Sequence, residues 1–470
     1  MQIIICAVVM SHLMIKNKQK QQRKHHNIIP IISKEDNDKT SIISNMIITT
    51  KHTINHANTS KLSNISDFID EYRRIAQIYI DHMWTGLKWT VKNKQHTFNA
   101  TYLLDHPRMW STVELNKELN LNTFLSARAL KCCITQVCGM IGSAVEKQRK
   151  RRFIANRRRS SHQKISRRLR KAIRAHKPVK PNVSDINPEI NSICVDIQES
   201  DNSFDYFIQL RSLVNDKKNF KLNIPIKHHR HSRKWSTGDL KNSISLSKNN
   251  IDLRWEIKTT KKTIGKIVGA DQGLKDVLTL SDEQVTPKTD CHGHSLESIT
   301  DKLARRKKGS NGFGRAQDHR KNFVNWSINQ LNLSDIREIR LEEIKNIRYK
   351  TPTSRKMSHW CNTLIRDKLV SSCEENEVRC TLQSSTYRSQ RCNQCGLVRK
   401  ANRKKKVYSC SNCGLELDAD YNASLNHQHD LPDVSYALRK LNLNRTGFFW
   451  QSDGFYALTG EALAVPLPRK

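Results

Sequence analysis

The sequence predicts a multidomain α+β protein: a helical lobe, a small antiparallel β-barrel, and an α/β domain carrying a cysteine-bound metal ribbon. Three observations predict it. Apolar residues recur at helical spacing early in the chain, alternate with period two after residue 182, and beyond Lys262 fall into strands alternating with helices. Two CxxC pairs, Cys392/Cys395 and Cys410/Cys413, stand fourteen residues apart. The 470 residues carry 82 Lys+Arg against 44 Asp+Glu, a formal net charge of +38.

That charge points to a polyanionic partner, nucleic acid first, because a positive surface releases the counterions condensed on phosphates. On charge alone a ribosomal or membrane-surface protein is the alternative. No stretch approaches the ~18 apolar residues of a membrane span, and Met1–Met10 (MQIIICAVVM) lacks the basic flank and cleavage site of a secretory signal. No membrane partner is expected.

Residues 1–45 are rich in Lys, Asn, Ile and His without a sustained period. They read as a disordered tail, or as translation from upstream of a true start at Met46. Residues 46–59 (from MIITTKHTI) form the first barrel strand. Residues 60–181 form the helical lobe, with one apolar stripe through Ile65, Phe68, Ile69, Tyr72, Ile75, Ala76, Tyr79 and Met83. A second stripe runs through Ala127, Leu130, Ile134, Val137, Cys138, Ile141 and Val145. Both are core stripes.

From Lys147 to Lys180, sixteen of thirty-four residues are Lys or Arg and none is acidic. Most charge runs are solvated faces or tails. This one continues a helix with charge all round, which suits a surface tracking a phosphate backbone. Its candidate contacts are Arg151, Arg152, Arg157, Arg158, Arg159, Arg167 and Arg168. Pro178 and Pro181 then break the chain. Residues 182–262 complete the barrel, with alternation at Phe204–Leu210 and Phe220–Ile226. A hairpin follows, turning at Asn249-Asn250, with Ile251, Leu253, Trp255 and Ile257 on one face. Lys227 and Arg230 lie in its cationic loop, KHHRHSRK.

Three acidic segments follow. IGKIVGADQG (264–273) places Asp271 at the carboxyl end of a buried strand, and VLTLSD (277–282) pairs back on it. REIRLEEI (337–344) is a strand with Glu338, Arg340 and Glu342 on one face. DADYNAS (418–424) leads an Asp-rich turn into a helix beginning near Tyr421. Each acid alone is more often a cap than a ligand. Converging, they would hold two divalent ions, Mg²⁺ or Mn²⁺, against a phosphodiester displacement.

The cysteines sit in CNQCG and CSNCG knuckles, whose glycines let backbone N–H groups face the sulfurs. Four thiolates at this spacing make a closed structural site for one Zn²⁺, with rubredoxin-like iron as the alternative. The nine other cysteines read as buried or inert thiols. Between the knuckles LVRKANRKKKV is intensely basic, so Arg399, Lys400, Arg403 and Lys404 join the nucleic-acid candidates.

In this order, Gly269-Ala270-Asp271-Gln272-Gly273, Ile339-Arg340-Leu341-Glu342, the four cysteines and Asp418-Ala419-Asp420-Tyr421-Asn422-Ala423 resemble the transposon-encoded TnpB nucleases. Their descendants, the compact type V CRISPR effectors, and the Fanzor proteins share the plan. The resemblance implies an RNase H-like (RuvC) α/β nuclease domain with a zinc-ribbon insertion, a wedge-like barrel and a helical recognition lobe. The domain spans are then 263–384 for the first two nuclease motifs, 385–416 for the ribbon and 417–430 for the third motif. It implies Asp271, Glu342 and Asp420 as the catalytic, metal-binding triad, with Asp418, Glu343 and Glu338 as near misses. It implies an RNA-guided DNA endonuclease working by two-metal-ion hydrolysis, with guide RNA and target double-stranded DNA as partners, as a monomer or homodimer. Such a protein would be cytoplasmic and nucleoid-associated, or nuclear in a eukaryote. Three alternatives remain at this point: a guided DNA-binding repressor without cleavage, a transposase-associated DNA-binding protein, and a non-enzymatic zinc-ribbon RNA-binding protein. Residues 431–470, with Phe448-Phe449-Trp450, have no reading from sequence.

Overall fold

The computed structural model describes residues 43–85, 89–92, 95–98, 117–160, 165, 167–174, 178–215, 222–344 and 354–463. The reading of residues 1–45 lies outside these except for its last three positions, and Phe220 lies outside them too.

β1 (Ile43–Thr53) starts three residues before the expected strand. α1 (Thr59–Thr85) follows, then a short hairpin of β2 (Trp89–Lys92) and β3 (Gln95–Phe98). α2 (Ala127–Ser160) carries the second apolar stripe and continues without a break into the basic run. α3 (Arg167–Arg174) lies within that run. β4 (Glu189–Ile190), β5 (Val195–Glu199), β6 (Tyr206–Leu210), β7 (Leu222–Ile226), the one-turn α4 (Arg230–Arg233), β8 (Asp239–Leu246) and β9 (Asn250–Thr260) complete this part.

The period-two stretches form two antiparallel sheets rather than one closed ladder. Their orders are β1-β9-β8-β4 and β5-β6-β7. The chain leaves one sheet for the other through a single 3₁₀ turn at Ser192–Cys194, and a register shift between Lys241 and Ser245 breaks the β8–β9 ladder. Both are ways of turning a corner between two sheets. β1 pairs with β9 along its whole length, from Ile43 opposite Thr260 to Thr53 opposite Asn250. Residues two hundred positions apart are thus locked together.

The α1 and α2 stripes share one core with both sheets, so the helical lobe and the strands are not separately packed bodies. Each fully buried aromatic or aliphatic side chain there, such as Phe68, Ile69 or Trp255, stabilises by about 1.5–3 kcal/mol. Two polar groups of that core are paired: Tyr72 Oη donates to Gln136 Oε1 (2.9 Å) and Trp255 Nε1 to Thr50 Oγ1 (2.8 Å).

The α/β part runs β10 (Lys266–Gln272), β11 (Leu278–Leu280), α5 (Leu296–Arg305), α6 (Asn311–Asn329), β12 (Ile336–Glu343), α7 (Asn362–Glu375) and β13 (Arg379–Ser384). Its sheet has the order β11-β10-β12-β13. β10, β12 and β13 are parallel, and β11 runs antiparallel at one edge as the expected meander. Val268, Ala270, Ile339 and Leu341 bury one core with Ile365 and Leu369 of α7 and Phe323 and Val324 of α6.

The ribbon supplies β14 (Leu397–Val398), β15 (Arg403–Lys404), β16 (Val407–Ser409) and β17 (Glu416–Asp418) before α8 (Ala419–Gln428). The tail has a structure of its own. After α9 (Tyr436–Lys440), β18 (Phe448–Trp450) and β19 (Phe455–Tyr456) extend a sheet from β14. Phe448, Trp450 and Phe455 bury a small core with Val398, Leu431 and Leu438. The side chains of Arg391 and Gln451 stitch tail to ribbon: Arg391 Nε donates to Trp450 O (2.8 Å) and Gln451 Nε2 to Cys395 O (2.9 Å).

Among the described residues no helix is long and apolar enough to cross a membrane. Of the nine cysteines outside the ribbon, six are buried. Cys380 is half-buried, Cys291 is exposed, contrary to expectation, and Cys6 lies outside the described residues. Cys291 sits in a polar turn whose backbone is held by Asp290 Oδ1, which accepts from His292 N and His294 N (both 2.9 Å).

Candidate metal centre and cysteine ribbon

Asp271 stands one residue from the carboxyl end of β10, opposite Thr279 of β11. The turn that follows admits only glycine at 273, where a Cβ would lie 2.3 Å from Asp276 O. Glu342 lies near the end of the adjacent parallel strand β12. Its Oε1 accepts from Gln272 N (2.9 Å), which fixes the carboxylate beside Asp271. Parallel pairing of β10 and β12 brings residues seventy positions apart to the same end of the sheet.

Asp420 enters from the first turn of α8. That helix begins two residues before the expected Tyr421, because Asp418 Oδ1 accepts from Asp420 N (2.9 Å) and Tyr421 N (3.1 Å). Asp418 is therefore the helix cap, and Asp420, two residues on, is the acid facing the site. α8 lies so close to β10 that a Cβ at Gly269 would stand 2.0 Å from Ser424 O. Glycine at 269 is a packing requirement. Glu338 is engaged elsewhere, accepting from Arg340 Nε (3.1 Å) and Thr381 Oγ1 (2.9 Å).

Asp271, Glu342 and Asp420 are 7%, 9% and 7% exposed. Burial, then the charges of Glu342 and Asp420, push the Asp271 carboxyl well above the usual carboxylate range, against the opposing pull of Arg403 and Lys406. Burial raises Glu342 to about 7, partly offset by the Gln272 amide. A cation held between these carboxylates would compete with protons for the same oxygens.

A histidine completes the tightest cluster. One ligand atom each from Asp271, Glu342 and His427 lie within 4.8 Å of one another. His427 is 1% exposed, and burial lowers its imidazole to about 3. Asp420 lies outside this tight group. It is ion-paired to Arg403 (2.8 Å) and to Lys406, and Lys406 also reaches Asp276 (2.6 Å). Despite desolvation, those two carboxylates hold the Lys406 ammonium above its ordinary range. Arg403, read from sequence with the nucleic-acid residues, is thus engaged at the acidic site.

His427, Arg403 and Lys406 are the site residues that sequence reasoning did not assign there. His427 had a signal: seven residues after Asp420, it falls on the same helix face.

The ribbon sulfurs also converge. Cys392 Sγ–Cys413 Sγ and Cys395 Sγ–Cys410 Sγ are each 3.6 Å, and all four lie within 4.8 Å of one another. Tetrahedral sulfurs about 2.3 Å from one ion stand roughly 3.8 Å apart. The donor set and spacing fit a single ion.

The two knuckles repeat one geometry. Gly396 N donates to Cys392 O and Gly414 N to Cys410 O, both at 3.0 Å, with both glycines at positive φ (79° and 74°). Backbone N–H groups of Gln394 and Cys395 face the Cys392 sulfur, and those of Asn412 and Cys413 face Cys410. Asn422 binds α8 to the first knuckle, accepting from Asn393 N (3.1 Å) and donating to Arg391 O (2.8 Å). Sulfur cluster and acidic cluster therefore share α8 as a wall.

Of the basic candidates, Arg157, Arg159, Arg167, Lys227, Arg230, Lys400 and Lys404 are exposed. Arg151, Arg152, Arg158 and Arg399 are half-buried, and Arg399 Nη1 donates to Ser411 Oγ (3.2 Å). The side chain of Arg168 lies outside the described residues.

Residues 363–427 match the family described as Cas12f1-like, TNB domain, a span holding all four cysteines and both Asp420 and His427. The chain is 28% identical over 132 residues to the CRISPR-associated endodeoxyribonuclease Cas12f1 of Sulfoacidibacillus thermotolerans. Both matches support the resemblance to the TnpB-like compact type V nucleases. That match covers 28% of this chain and 29% of the relative, so it spans under a third of the relative's length. Similar solved structures include a Cas12f1–sgRNA–target DNA complex, with 12% identity, TM-score 0.42, and coverage of 82% of this chain and 99% of that one. Another is CasPhi-2 (Cas12j) bound to crRNA and phosphorothioate-DNA, with 9% identity, TM-score 0.40, and coverage of 83% and 91%.

Proposed function

We propose that this chain is an RNA-guided DNA endonuclease whose RNase H-like (RuvC) core hydrolyses phosphodiester bonds with two divalent cations, Mg²⁺ or Mn²⁺. The observation that carries the reading is the convergence of three buried acids, from β10, β12 and the first turn of α8, at one end of a mixed sheet. Bound cations supply positive charge for the attacking and leaving oxygens. Asp271, Glu342 and Asp420 hold them. The Gln272 amide orients Glu342, and the Asp418 cap fixes the turn from which Asp420 projects. Arg403 and Lys406 pair with Asp420 and hold its carboxylate in place.

One structural Zn²⁺ in the Cys392, Cys395, Cys410 and Cys413 cluster holds the ribbon against α8. The basic length of α2 and the loop at Lys227–Lys234 supply separate phosphate-facing stretches for a guide RNA and its target. The net charge of +38 supports the RNA partner, as does the similarity to a CRISPR-associated nuclease.

Asp271→Ala in the copurified nucleoprotein tests the assignment. Cleavage of a matched DNA in Mg²⁺ should disappear, while DNA binding stays within about twofold of wild type, because no basic contact is lost. A variant that cuts at the wild-type rate refutes it.

A further inference from the structure

We propose that His427 supplies a nitrogen ligand to the cation position formed by Asp271 and Glu342. The inference rests on the reading of that site as a cation-binding nuclease centre and extends it to a residue outside the acidic triad.

The first support is position. His427 has a ring nitrogen within 4.8 Å of a carboxylate oxygen of both Asp271 and Glu342. It lies on the face of α8 that packs against β10, two turns after Asp420, and the absence of a Cβ at Gly269 is what allows the helix that close.

The second support is an unmet hydrogen-bonding need. His427 Nδ1 is buried and has no hydrogen-bond partner among the described residues. Among the described residues the other buried histidine, His52 of β1, shows the contrast. His52 engages both nitrogens, Nε2 with Thr50 Oγ1 (2.9 Å) and Nδ1 with Lys227 O (3.3 Å). A buried core histidine in this protein is thus satisfied, and His427 is not. Leaving a buried polar atom unpaired is costly, and such atoms are rare without a functional reason. Gln272, whose main-chain and side-chain amides both donate to Glu342, also keeps its Oε1 buried without a partner among the described residues. A cation there takes up both oxygen and nitrogen lone pairs.

A mixed oxygen–nitrogen donor set has a chemical consequence. All-carboxylate sites suit Mg²⁺, whereas imidazole raises affinity for transition ions. This site should favour Mn²⁺ over Mg²⁺ more strongly than three carboxylates alone would.

The test is pulsed EPR of Mn²⁺ added to the copurified nucleoprotein, with the protein ¹⁵N-labelled at histidine and the RNA unlabelled. Nucleobase nitrogens then cannot give a ¹⁵N signal. Wild type should show ¹⁵N coupling, and Asp271→Ala should lose it together with the bound ion. His427→Leu should lose the coupling while keeping a more weakly held ion, by about tenfold. Mn²⁺ that depends on Asp271 but shows no histidine coupling in wild type overturns the role of His427 and leaves the nuclease centre standing. Mn²⁺ binding unaffected by Asp271→Ala overturns the nuclease centre, and this proposal with it. The wild-type spectrum decides even if the leucine variant fails to fold.

Discussion

The ribbon and the acidic centre are both clusters of ligand-type side chains, yet they are built in opposite ways. Four sulfurs come from one short stretch, residues 392 to 413, held by two repeats of the same knuckle. The acids are spread from residue 271 to residue 420, and meet only because β12 lies parallel to β10 and α8 packs on Gly269. One cluster is specified by local spacing and the other by topology. A change in the first should unfold a neighbourhood, and a change in the second should stop chemistry in an intact fold.

The largest effect should separate two acids that are neighbours in sequence. Asp420→Ala should lower cleavage by roughly a thousandfold or more, as loss of a group acting on the developing charge does. Asp418→Ala removes only a helix cap and should cost about 1 kcal/mol of stability with cleavage retained. Plasmid cleavage and thermal melts of both variants check this, and reversed phenotypes would reassign the third acid.

Next, Cys392→Ser or Cys413→Ser should release the single zinc and loosen the ribbon, since a structural ion supplies much of such a module's folding free energy. Because β14 pairs with β18, protease sensitivity should spread into residues 436–456. Elemental analysis with limited proteolysis reads both effects, and a metal-free protein with an intact ribbon would break the comparison.

Glu342 gives a smaller, signed effect. Its folded-state carboxyl is raised to about 7, so the folded protein binds that proton more tightly than the unfolded chain. The Glu342 contribution to the stability of the magnesium-free protein should therefore fall as pH rises from the ordinary glutamate range to about 7. Glu342→Gln should remove that part of the fall, leaving the part due to Asp271, and gain on the order of 1–3 kcal/mol at pH 8. Melts across pH with stoichiometric zinc present measure it.

The smallest effect concerns surface charge. Replacing Arg157, Arg158 and Arg159 by Gln should weaken RNA retention and reduce its salt slope by about one per lost phosphate contact. An unchanged slope would remove this part of α2 from the RNA surface.

How much of this was legible in the sequence follows the same division. Cysteine spacing and knuckle glycines are local signals, as are the apolar stripes of α1 and α2, and each gave its element directly. Asp271 and Glu342 could be picked out as strand-end acids, but their meeting depends on strand order, which periodicity does not encode. His427 was missed because a lone histidine in a helix is more often a core residue, although its place seven residues after Asp420 put both on one helix face. The tail was opaque for another reason: β18 and β19 have three and two residues, and their partner β14 lies some fifty positions away. The barrel differed because alternation reports which faces are buried, not which strands close on one another.

The most direct measurement is to sequence the RNA that copurifies with the wild-type protein, rewrite its guide segment, and map the cuts on plasmid DNA in Mg²⁺. One discrete RNA is expected, with cuts that move with the rewritten segment and no cuts with Asp271→Ala. Cuts that stay in place when the guide is rewritten, or that persist after all RNA is removed, would contradict it.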